Sequence, residues 1–181
     1  MQLFIMRHGE ASMKASSDAQ RPLTEQGQGE VALMANWLQG KHINFDQIMV
    51  SPFLRAQQSA DLLLSYLHGE NCSNKQNENN EISHSNDYVT KYADKIITTD
   101  LIIPSGGVKE VHDYIDGLYS ATNCQTVLIV SHMPLVGYLV EELLVDHPAP
   151  IFQTAAIAEI DYDTKKMKGH LTGLISPFEL T

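Results

Sequence analysis

The sequence changes from apolar to polar within the stretch Leu3-Phe4-Ile5-Met6-Arg7-His8-Gly9-Glu10. Its first four residues predict a short buried strand, and the change of character predicts that the strand ends next to Arg7. In open α/β sheets, ligands bind at the carboxyl ends of the parallel strands. We therefore expect Arg7 and His8 to belong to a binding or catalytic site.

His8 is the candidate nucleophile of this site. An imidazole nitrogen can attack phosphorus and form a phosphoramidate, which divides one phosphoryl transfer into two steps, provided that cations hold the phosphoryl oxygens. Arg7 supplies one such cation, and Gly9 would allow a tight bend and the close approach of a phosphate to the backbone. An Arg-His-Gly tripeptide also arises by chance, so the residues that accompany His8 decide the interpretation.

The rest of the chain alternates between strand and helix patterns. Helices are predicted at about 25–39, 53–67, 108–118 and 134–144. Strands are predicted at about 3–6, 43–50, 126–130, 155–162 and 168–174, the last two as a hairpin. Residues 95–103 are interpreted as an extended connection. These patterns predict an α/β fold, a three-layer sandwich with a mostly parallel central sheet flanked by helices.

Composition and charge narrow the possible functions. The chain has 181 residues, 43% of them hydrophobic, which predicts one globular domain over residues 1–181. With 12 Lys and Arg against 22 Asp and Glu, the formal net charge is −10, which makes nucleic acid an unfavourable partner. No apolar run is long enough for a bilayer, so no membrane partner is expected. The first residues do not resemble a secretory signal, so the cytoplasm is the expected compartment.

Residues 69–95 differ in composition from the rest of the chain. They are rich in Asn, Ser, Glu and Lys and poor in apolar residues, which predicts an exposed, mobile insertion. The insertion is either tolerated padding or a surface that recognises a partner.

The chain has only three arginines, Arg7, Arg21 and Arg55. A guanidinium binds phosphate through two parallel hydrogen bonds, whereas lysine offers a point charge. Arg55 falls in the first turn of the helix predicted at 53–67, where free amide groups and the helix dipole favour an anion. Taken alone, Arg55 is equally well explained as a solvated helix residue.

A second histidine follows the clearest strand of the chain. The apolar run 126–130 ends at Ser131-His132, directly before a helix opened by Pro134. A lone histidine there would also serve as a cap or a packing residue. Because alternating strands and helices bring strand ends to one edge of a sheet, we expect His8, Arg55 and His132 to converge. One imidazole would then attack phosphorus while the other donates to a phosphoryl oxygen.

At these positions the chain resembles the histidine phosphatase (phosphoglycerate mutase-like) superfamily, and within it the phosphohistidine phosphatases. The resemblance covers most of the chain outside residues 69–98. The matching segments are Arg7-His8-Gly9, Arg21-Pro22-Leu23-Thr24, 33–38, 50–56 and 131–140.

This resemblance implies hydrolysis of phosphohistidine on a partner protein, such as a phosphotransfer domain of a two-component relay or a phosphotransferase-system carrier. It implies His8 as the phosphorylated nucleophile, with Arg7, Arg55 and His132 around the phosphate. Arg21 would be an auxiliary residue of the same pocket. The resemblance implies neither a metal nor another cofactor.

Larger members of the superfamily carry an acidic residue that protonates alcohol leaving groups. Glu10, Asp18 and Asp100 are the candidates here, and each also has a structural explanation. A phosphoramidate leaving group needs less help, because imidazole protonates readily near neutral pH.

Three other functions stay open from the sequence. The same site would serve a small-molecule phosphomonoesterase or mutase. A phosphocarrier would accept a phosphoryl group on His8 and pass it on without hydrolysis, although a second histidine and further arginines exceed what a carrier needs. A metallohydrolase would require metal-ligand spacing, which is lacking among the remaining histidines and cysteines, His42, His68, His84, His112, His147, His170, Cys72 and Cys124.

Overall fold

The computed structural model describes residues 1–68 and 92–181 and is built on one six-stranded sheet. The strands are β1 (Gln2–Arg7), β2 (Gln47–Val50), β3 (Ile96–Thr98), β4 (Thr126–Ser131), β5 (Ile157–Asp163) and β6 (Lys168–Ile175). The described α-helices are α1 (Glu25–Gly40), α2 (Leu54–Leu67), α3 (Val108–Thr122) and α4 (Leu135–Leu143).

The sheet is mostly parallel, as predicted. Its strand order is β3-β2-β4-β1-β5-β6, and the first four of these strands pair in parallel. β5 runs antiparallel to β1, and the hairpin partner β6 runs antiparallel to β5. The carboxyl ends of four strands therefore meet at one edge of the sheet, and β1 and β4 are direct neighbours there.

The core lies on both faces of the sheet, which explains why the central strands are apolar at every position. In β1, Leu3 and Ile5 belong to the cluster that packs under α3 and α4. Phe4 and Met6 belong to the opposite cluster, under α1 and α2. Burying one such side chain stabilises the fold by about 1.5–3 kcal/mol. Because the side chains of β1 alternate between the two clusters, this short strand stabilises both helix layers. The predicted three-layer α/β sandwich is confirmed.

The extended conformation expected within residues 95–103 is confirmed at three residues, but these form a strand of the sheet and not only a connection. Ile96–Thr98 is the edge strand of the sheet, with Ile96 paired in parallel to Ile48 of β2. A 3₁₀ turn at Asp100–Ile102 follows and buries Ile102. A three-residue strand is too short for its own periodicity to predict, because its pairing with β2 decides its conformation.

The insertion was predicted at 69–95, and most of it lies outside the described residues, which omit 69–91. Cys72 and His84 lie outside the described residues as well. Cys124 is described and is a buried free thiol. That residues 1–181 form one domain with an insertion stays a prediction. Within the described ranges, no helix combines the length and the apolar character that a membrane crossing requires.

Candidate active site

His8 stands immediately after β1, at the edge where the parallel strands end. Its backbone N–H donates to the carbonyl of Ser131 at the end of β4 (3.0 Å), and its carbonyl accepts from the N–H of Ala155 (3.0 Å). These bonds on both sides hold the residue in place, and its side chain is buried. The position of the candidate nucleophile is therefore determined by the backbone of the sheet.

The hydrogen bonds of the His8 ring define its tautomer. Nδ1 lies 2.7 Å from the carbonyl oxygen of Gly9. Because a carbonyl can only accept, Nδ1 carries the ring hydrogen and Nε2 keeps a lone pair. Nε of Arg55 donates to that Nε2 atom at 3.1 Å. The free electron pair of the ring thus points to a guanidinium, where a phosphoryl group would be held.

Gly9 has a role in backbone packing that was not expected from the sequence. A Cβ at Gly9 would lie 2.6 Å from the carbonyl oxygen of Gly27, and a Cβ at Gly27 would lie 2.1 Å from that of Glu10. The two glycines therefore let the first turn of α1 pack directly on the turn after β1. Thr24 caps this helix, since its Oγ1 accepts from the Gly27 N–H at 3.0 Å.

Arg55 lies in the first turn of α2, as predicted, but it is not a solvated helix residue. Its side chain is buried, and its guanidinium carbon sits 5.0 Å from the ring centroid of Phe53. Besides the bond to His8, Nη1 donates to the carbonyl of Asp18 (2.6 Å) and Nη2 to its carboxylate (3.1 Å). A network on three sides therefore orients the guanidinium over His8.

His132 lies next to His8, so the two predicted histidines meet. The ring centroids of the two histidines are 4.9 Å apart, and the Phe53 ring packs against the His132 ring with its centroid at 5.0 Å. Nε2 of His132 is 2.7 Å from Oγ of Ser51, the residue that follows β2. Nδ1 is buried and finds no hydrogen-bond partner in the described part of the protein. An acceptor such as a phosphoryl oxygen would complete this ring.

Arg7 ends β1 and forms one wall of an adjoining cleft. Its Nη1 donates to the carbonyl of Phe152 at 2.7 Å, while its buried Nε has no partner among the described residues. The cleft has a volume of about 450 Å³ and is also lined by Glu30, Gln153 and Phe178. Arg7, which directly precedes His8, therefore also lines an open cleft.

Arg21 lies at the outer side of the site and does not contact His8 directly. Its guanidinium donates to the carbonyls of Ser12 (2.7 Å) and Ala11 (3.2 Å) and to the Asp18 carboxylate (3.0 Å). Asp18 thus bridges Arg21 and Arg55. The structure places Arg21 as a support of the loop that covers Arg55.

Burial and neighbouring cations keep both histidines neutral. Burial lowers the pKa of His8 to about 4, and the charges of Arg55, Arg7 and Arg21 act in the same direction, against the bond to Gly9. Burial likewise lowers the pKa of His132 to about 3, assisted by His8 and Arg55. At neutral pH the His8 ring therefore has an unprotonated Nε2 without the help of a separate base.

The acidic candidates have other partners. Glu10 accepts a hydrogen bond from the hydroxyl of Thr24. Hydrogen bonds from Arg21 and then Arg55 lower the pKa of Asp18, which keeps this carboxyl ionised rather than ready to donate a proton. Asp100 begins the 3₁₀ turn beyond β3. None of these three contacts places a protonated carboxyl beside His8.

Sequence reasoning missed the two serines of the site. Ser51 falls in the matching segment 50–56 but received no role of its own. Ser59 was not singled out, yet its Oγ accepts from the backbone N–H of Gly9 at 3.1 Å. Only Ser59 had a local signal: it lies four residues after Arg55 within α2, and residues at i and i+4 share one face of a helix.

The other histidines are spread over the molecule. His112 is buried far from the site, between Glu142 (3.2 Å) and the hydroxyl of Tyr162 (2.7 Å). In residues 1–68 and 92–181, no three His, Cys, Asp or Glu side chains are grouped so that they could hold a metal ion.

Comparison with known proteins agrees with this geometry. The sequence model of the histidine phosphatase superfamily (branch 1) matches residues 3–82. The chain is 38% identical over 163 residues to phosphohistidine phosphatase SixA of Escherichia coli (strain K12), a match that covers 90% of this chain and 86% of the relative. It is 29% identical to the adenosylcobalamin/alpha-ribazole phosphatase of Salmonella typhimurium, over 80% of each chain.

A solved structure of the protein histidine phosphatase SixA complexed with tungstate superposes with a TM-score of 0.82 at 36% identity, over 100% of both chains. The similarity therefore extends from the Arg-His-Gly turn to the complete fold. By its sequence, its fold and the pairing of His8 with His132, this chain belongs to the histidine phosphatase superfamily.

Proposed function

We propose that this protein is a metal-independent phosphohistidine phosphatase that removes phosphoryl groups from histidine on a partner protein. One observation carries the proposal: the unprotonated Nε2 of the buried His8 receives a hydrogen bond from Arg55, with the His132 ring 4.9 Å away. The similarity to SixA, whose name states this activity, supports the substrate class.

The first step transfers the phosphoryl group to His8. The lone pair of Nε2 forms a bond to phosphorus, and the bond between phosphorus and the substrate's imidazole nitrogen breaks, leaving its electron pair on that nitrogen. The departing imidazole takes a proton from water. Throughout this step the Nδ1–H of His8 stays bonded to the carbonyl of Gly9, which keeps the ring in the reactive orientation.

The second step returns the enzyme to its starting state. Water attacks phosphorus, a phosphorus–oxygen bond forms, and the bond to Nε2 breaks with its electrons returning to the ring. The proton of the attacking water goes to phosphate or solvent, and neutral His8 is restored. Because the pKa of His8 is lowered to about 4, the free ring stays unprotonated for another cycle.

The surrounding residues stabilise charge on the transferred group. Arg55 and Arg7 provide guanidinium donors to phosphoryl oxygens, and the unpartnered Nδ1 of His132 provides a third donor. Arg21 acts through Asp18, which orients Arg55. Donors that are already in position cost no reorganisation when charge spreads over the oxygens, which is the main source of catalysis in phosphoryl transfer.

The partner proposed is a phosphotransfer domain or a phosphotransferase-system carrier, with phosphate as the product. A small-molecule phosphomonoesterase is the second candidate, because the chain also resembles a phosphatase whose name gives α-ribazole as substrate. A non-hydrolytic phosphocarrier is the third. The cytoplasmic compartment stays a prediction.

Steady-state phosphate release from three donors distinguishes these functions. The donors are a histidine phosphotransfer domain phosphorylated with phosphoramidate, a phosphorylated phosphotransferase-system carrier and a sugar phosphate. We expect multiple turnovers on phosphohistidine protein, with a higher kcat/KM than on sugar phosphate. Preference for the sugar phosphate would contradict the substrate class, and a single turnover without release would indicate a carrier.

Two controls test the nucleophile and the metal. His8→Ala should abolish both turnover and a trapped phosphoenzyme, whereas His170→Ala, at an exposed ring on β6, should change neither. Residual turnover in the His8 variant would exclude it as nucleophile. Activity should persist in EDTA, and loss of activity that zinc restores would overturn metal independence.

A further inference from the structure

Three exposed apolar side chains border the active site. Met13 and Ile151 are each 83% exposed and Phe178 is 78% exposed, the highest values among the large hydrophobic side chains of the described residues. They come from three separate segments of the chain, and we call them the apolar rim. Single exposed apolar side chains are common, but several that are grouped beside a polar site are typical of a protein interaction surface.

Each member of the apolar rim is linked to an arginine of the site. Met13 Sδ accepts from Nη2 of Arg21 at 3.0 Å. Ile151 directly precedes Phe152, whose carbonyl accepts from Arg7 at 2.7 Å.

Phe178 and Arg7 line the same cleft. Phe178 follows β6, whose last residue Ile175 pairs with Ile157, which in turn pairs with Met6 of β1. The C-terminal turn therefore reaches the same edge of the sheet as His8.

We propose that the apolar rim is the docking surface for the protein that carries the phosphohistidine, through an apolar patch that surrounds that residue on the partner. This inference rests on the proposed function and specifies how its protein substrate is recognised. Protein interfaces are enriched in arginine and in exposed aromatic and aliphatic side chains, and this surface combines the two.

Two features favour a phosphohistidine protein over other ligands of the apolar rim: the net charge of the chain and the extent of the rim over three segments. A small phosphorylated metabolite is held by the arginine pocket itself and does not span three segments. An anionic membrane surface would repel a chain with a net charge of −10. A phosphoryl anion on a protein surface, by contrast, meets the cations of the pocket while the surrounding apolar patch meets the rim.

The molecule provides a matched control at its opposite end. Val145 is 65% exposed and Met167 is 47% exposed. Met167 lies in the turn between β5 and β6, and β5 passes beside Gln2 at the amino end of β1 on its way there. Val145 follows α4, beside the isolated bridge between Leu144 and Gly169. Neither residue is near His8.

The test compares Ile151→Ser/Phe178→Ser with Val145→Ser/Met167→Ser. Met13 is left unchanged because it contacts Arg21. Each variant is assayed on a phosphotransfer domain phosphorylated with phosphoramidate and on p-nitrophenyl phosphate, a small donor that has no protein surface to dock. Truncating two interface anchors should lower kcat/KM for the protein substrate about tenfold or more. The loss should fall mainly on KM, with activity on the small donor within about twofold and the control variant unchanged on both.

The other outcomes overturn the inference in distinguishable ways. Equal loss on both donors would mean that the substitutions damage the pocket, and no loss on the protein would mean that the rim does not bind it. If the wild type hydrolyses p-nitrophenyl phosphate but not the protein, the proposed function fails together with the rim as its docking surface. A wild-type dimer in sedimentation that the Ile151/Phe178 variant dissociates would assign the rim to a second copy of this chain.

Discussion

Ser51 Oγ and His132 Nε2 lie 2.7 Å apart, and both side chains are buried. The backbone N–H of Phe53 donates to the same Oγ at 3.4 Å, so the serine hydroxyl hydrogen is available for His132. When the hydroxyl donates to Nε2, the neutral ring carries its hydrogen on Nδ1, the atom without a partner. We therefore expect Ser51 to be a positioning residue that sets the tautomer of His132 for donation to a phosphoryl oxygen.

Ser51→Ala should lower kcat roughly 10- to 100-fold, because the ring loses the bond that determines its tautomer and one phosphate donor is weakened. Ser51→Thr keeps the hydroxyl and should recover most of the activity. The decisive readout is the ¹⁵N chemical shift of the His132 ring, which should move towards a tautomer mixture in the alanine variant. An unchanged Nδ1–H signal together with lost activity would contradict this role.

Asp18→Asn should strengthen inhibition by inorganic phosphate, because it removes a negative charge beside the guanidiniums that would bind the anion. The increase should be at most about fivefold, since exposed ion pairs contribute at most about 1 kcal/mol. The kcat should change little, because Arg55 keeps its bond to the backbone carbonyl of residue 18 and the Asn side-chain oxygen can still accept from it. Asp163→Asn makes the same charge change at the turn after β5 and is the control. A fall in kcat of roughly 10²–10⁴ in the Asp18 variant would instead identify this carboxyl as a general acid.

The neutral histidines predict how stability depends on pH. The pKa values of His8 (about 4) and His132 (about 3) lie below the value of about 6.5 expected in the unfolded chain. Below pH 6.5 the unfolded state therefore binds more protons, so the free energy of unfolding falls as the pH falls from 6.5 towards 4.

Each buried histidine accounts for up to roughly 1.4 kcal/mol per pH unit in that window. Urea unfolding at pH 7.5 and pH 5 should therefore show a smaller loss for His132→Asn than for the wild type, by roughly 2 kcal/mol. Equal losses in the two proteins would mean that His132 titrates alike when folded and unfolded. Ring ¹⁵N shifts at pH 5.5 give an independent check, since both histidines should still be neutral.

Gly27→Ala should destabilise the protein by about 1–3 kcal/mol, because the added Cβ would lie 2.1 Å from the backbone oxygen of Glu10 and would push α1 away from the turn after β1. Gly29→Ala, two residues along the same helix, meets nothing within 4 Å and should gain about 0.5–1 kcal/mol. Urea denaturation measures both. Similar changes in the two variants would mean that helix propensity, and not the close approach of α1, sets the effect.

Much of the architecture followed from local patterns. The continuous apolar runs of β1 and β4 predicted buried parallel strands, and polar residues directly after them placed His8 and His132 at one edge of the sheet. The edge strand at Ile96–Thr98 did not follow, because its conformation depends on pairing with β2. The insertion predicted at 69–95 stays a prediction over residues 69–91.

For the arginines, too, the sequence indicated some features and the tertiary structure decided the others. Arg7 and Arg55 were recognisable from their places at a strand end and in a helix first turn. Arg55 contacts Nε2 of His8, while Arg21 is linked to Arg55 through Asp18. Both arrangements depend on loops that pack across the molecule. Ser51 had no local signal of its contact with His132, since the two residues are 81 positions apart.

Backbone preferences and side-chain chemistry act over a few residues, and they were sufficient for the helices, for every strand except β3 and for the choice of candidate reactive groups. Fixed tautomers and lowered pKa values arise only when distant parts of the chain pack together and exclude water. The apolar rim forms only when three separate segments meet at one edge of the sheet. Burial and hydrogen-bond geometry are properties of the packed molecule, so the reactivity of His8 and the orientation of His132 were decided by the tertiary structure.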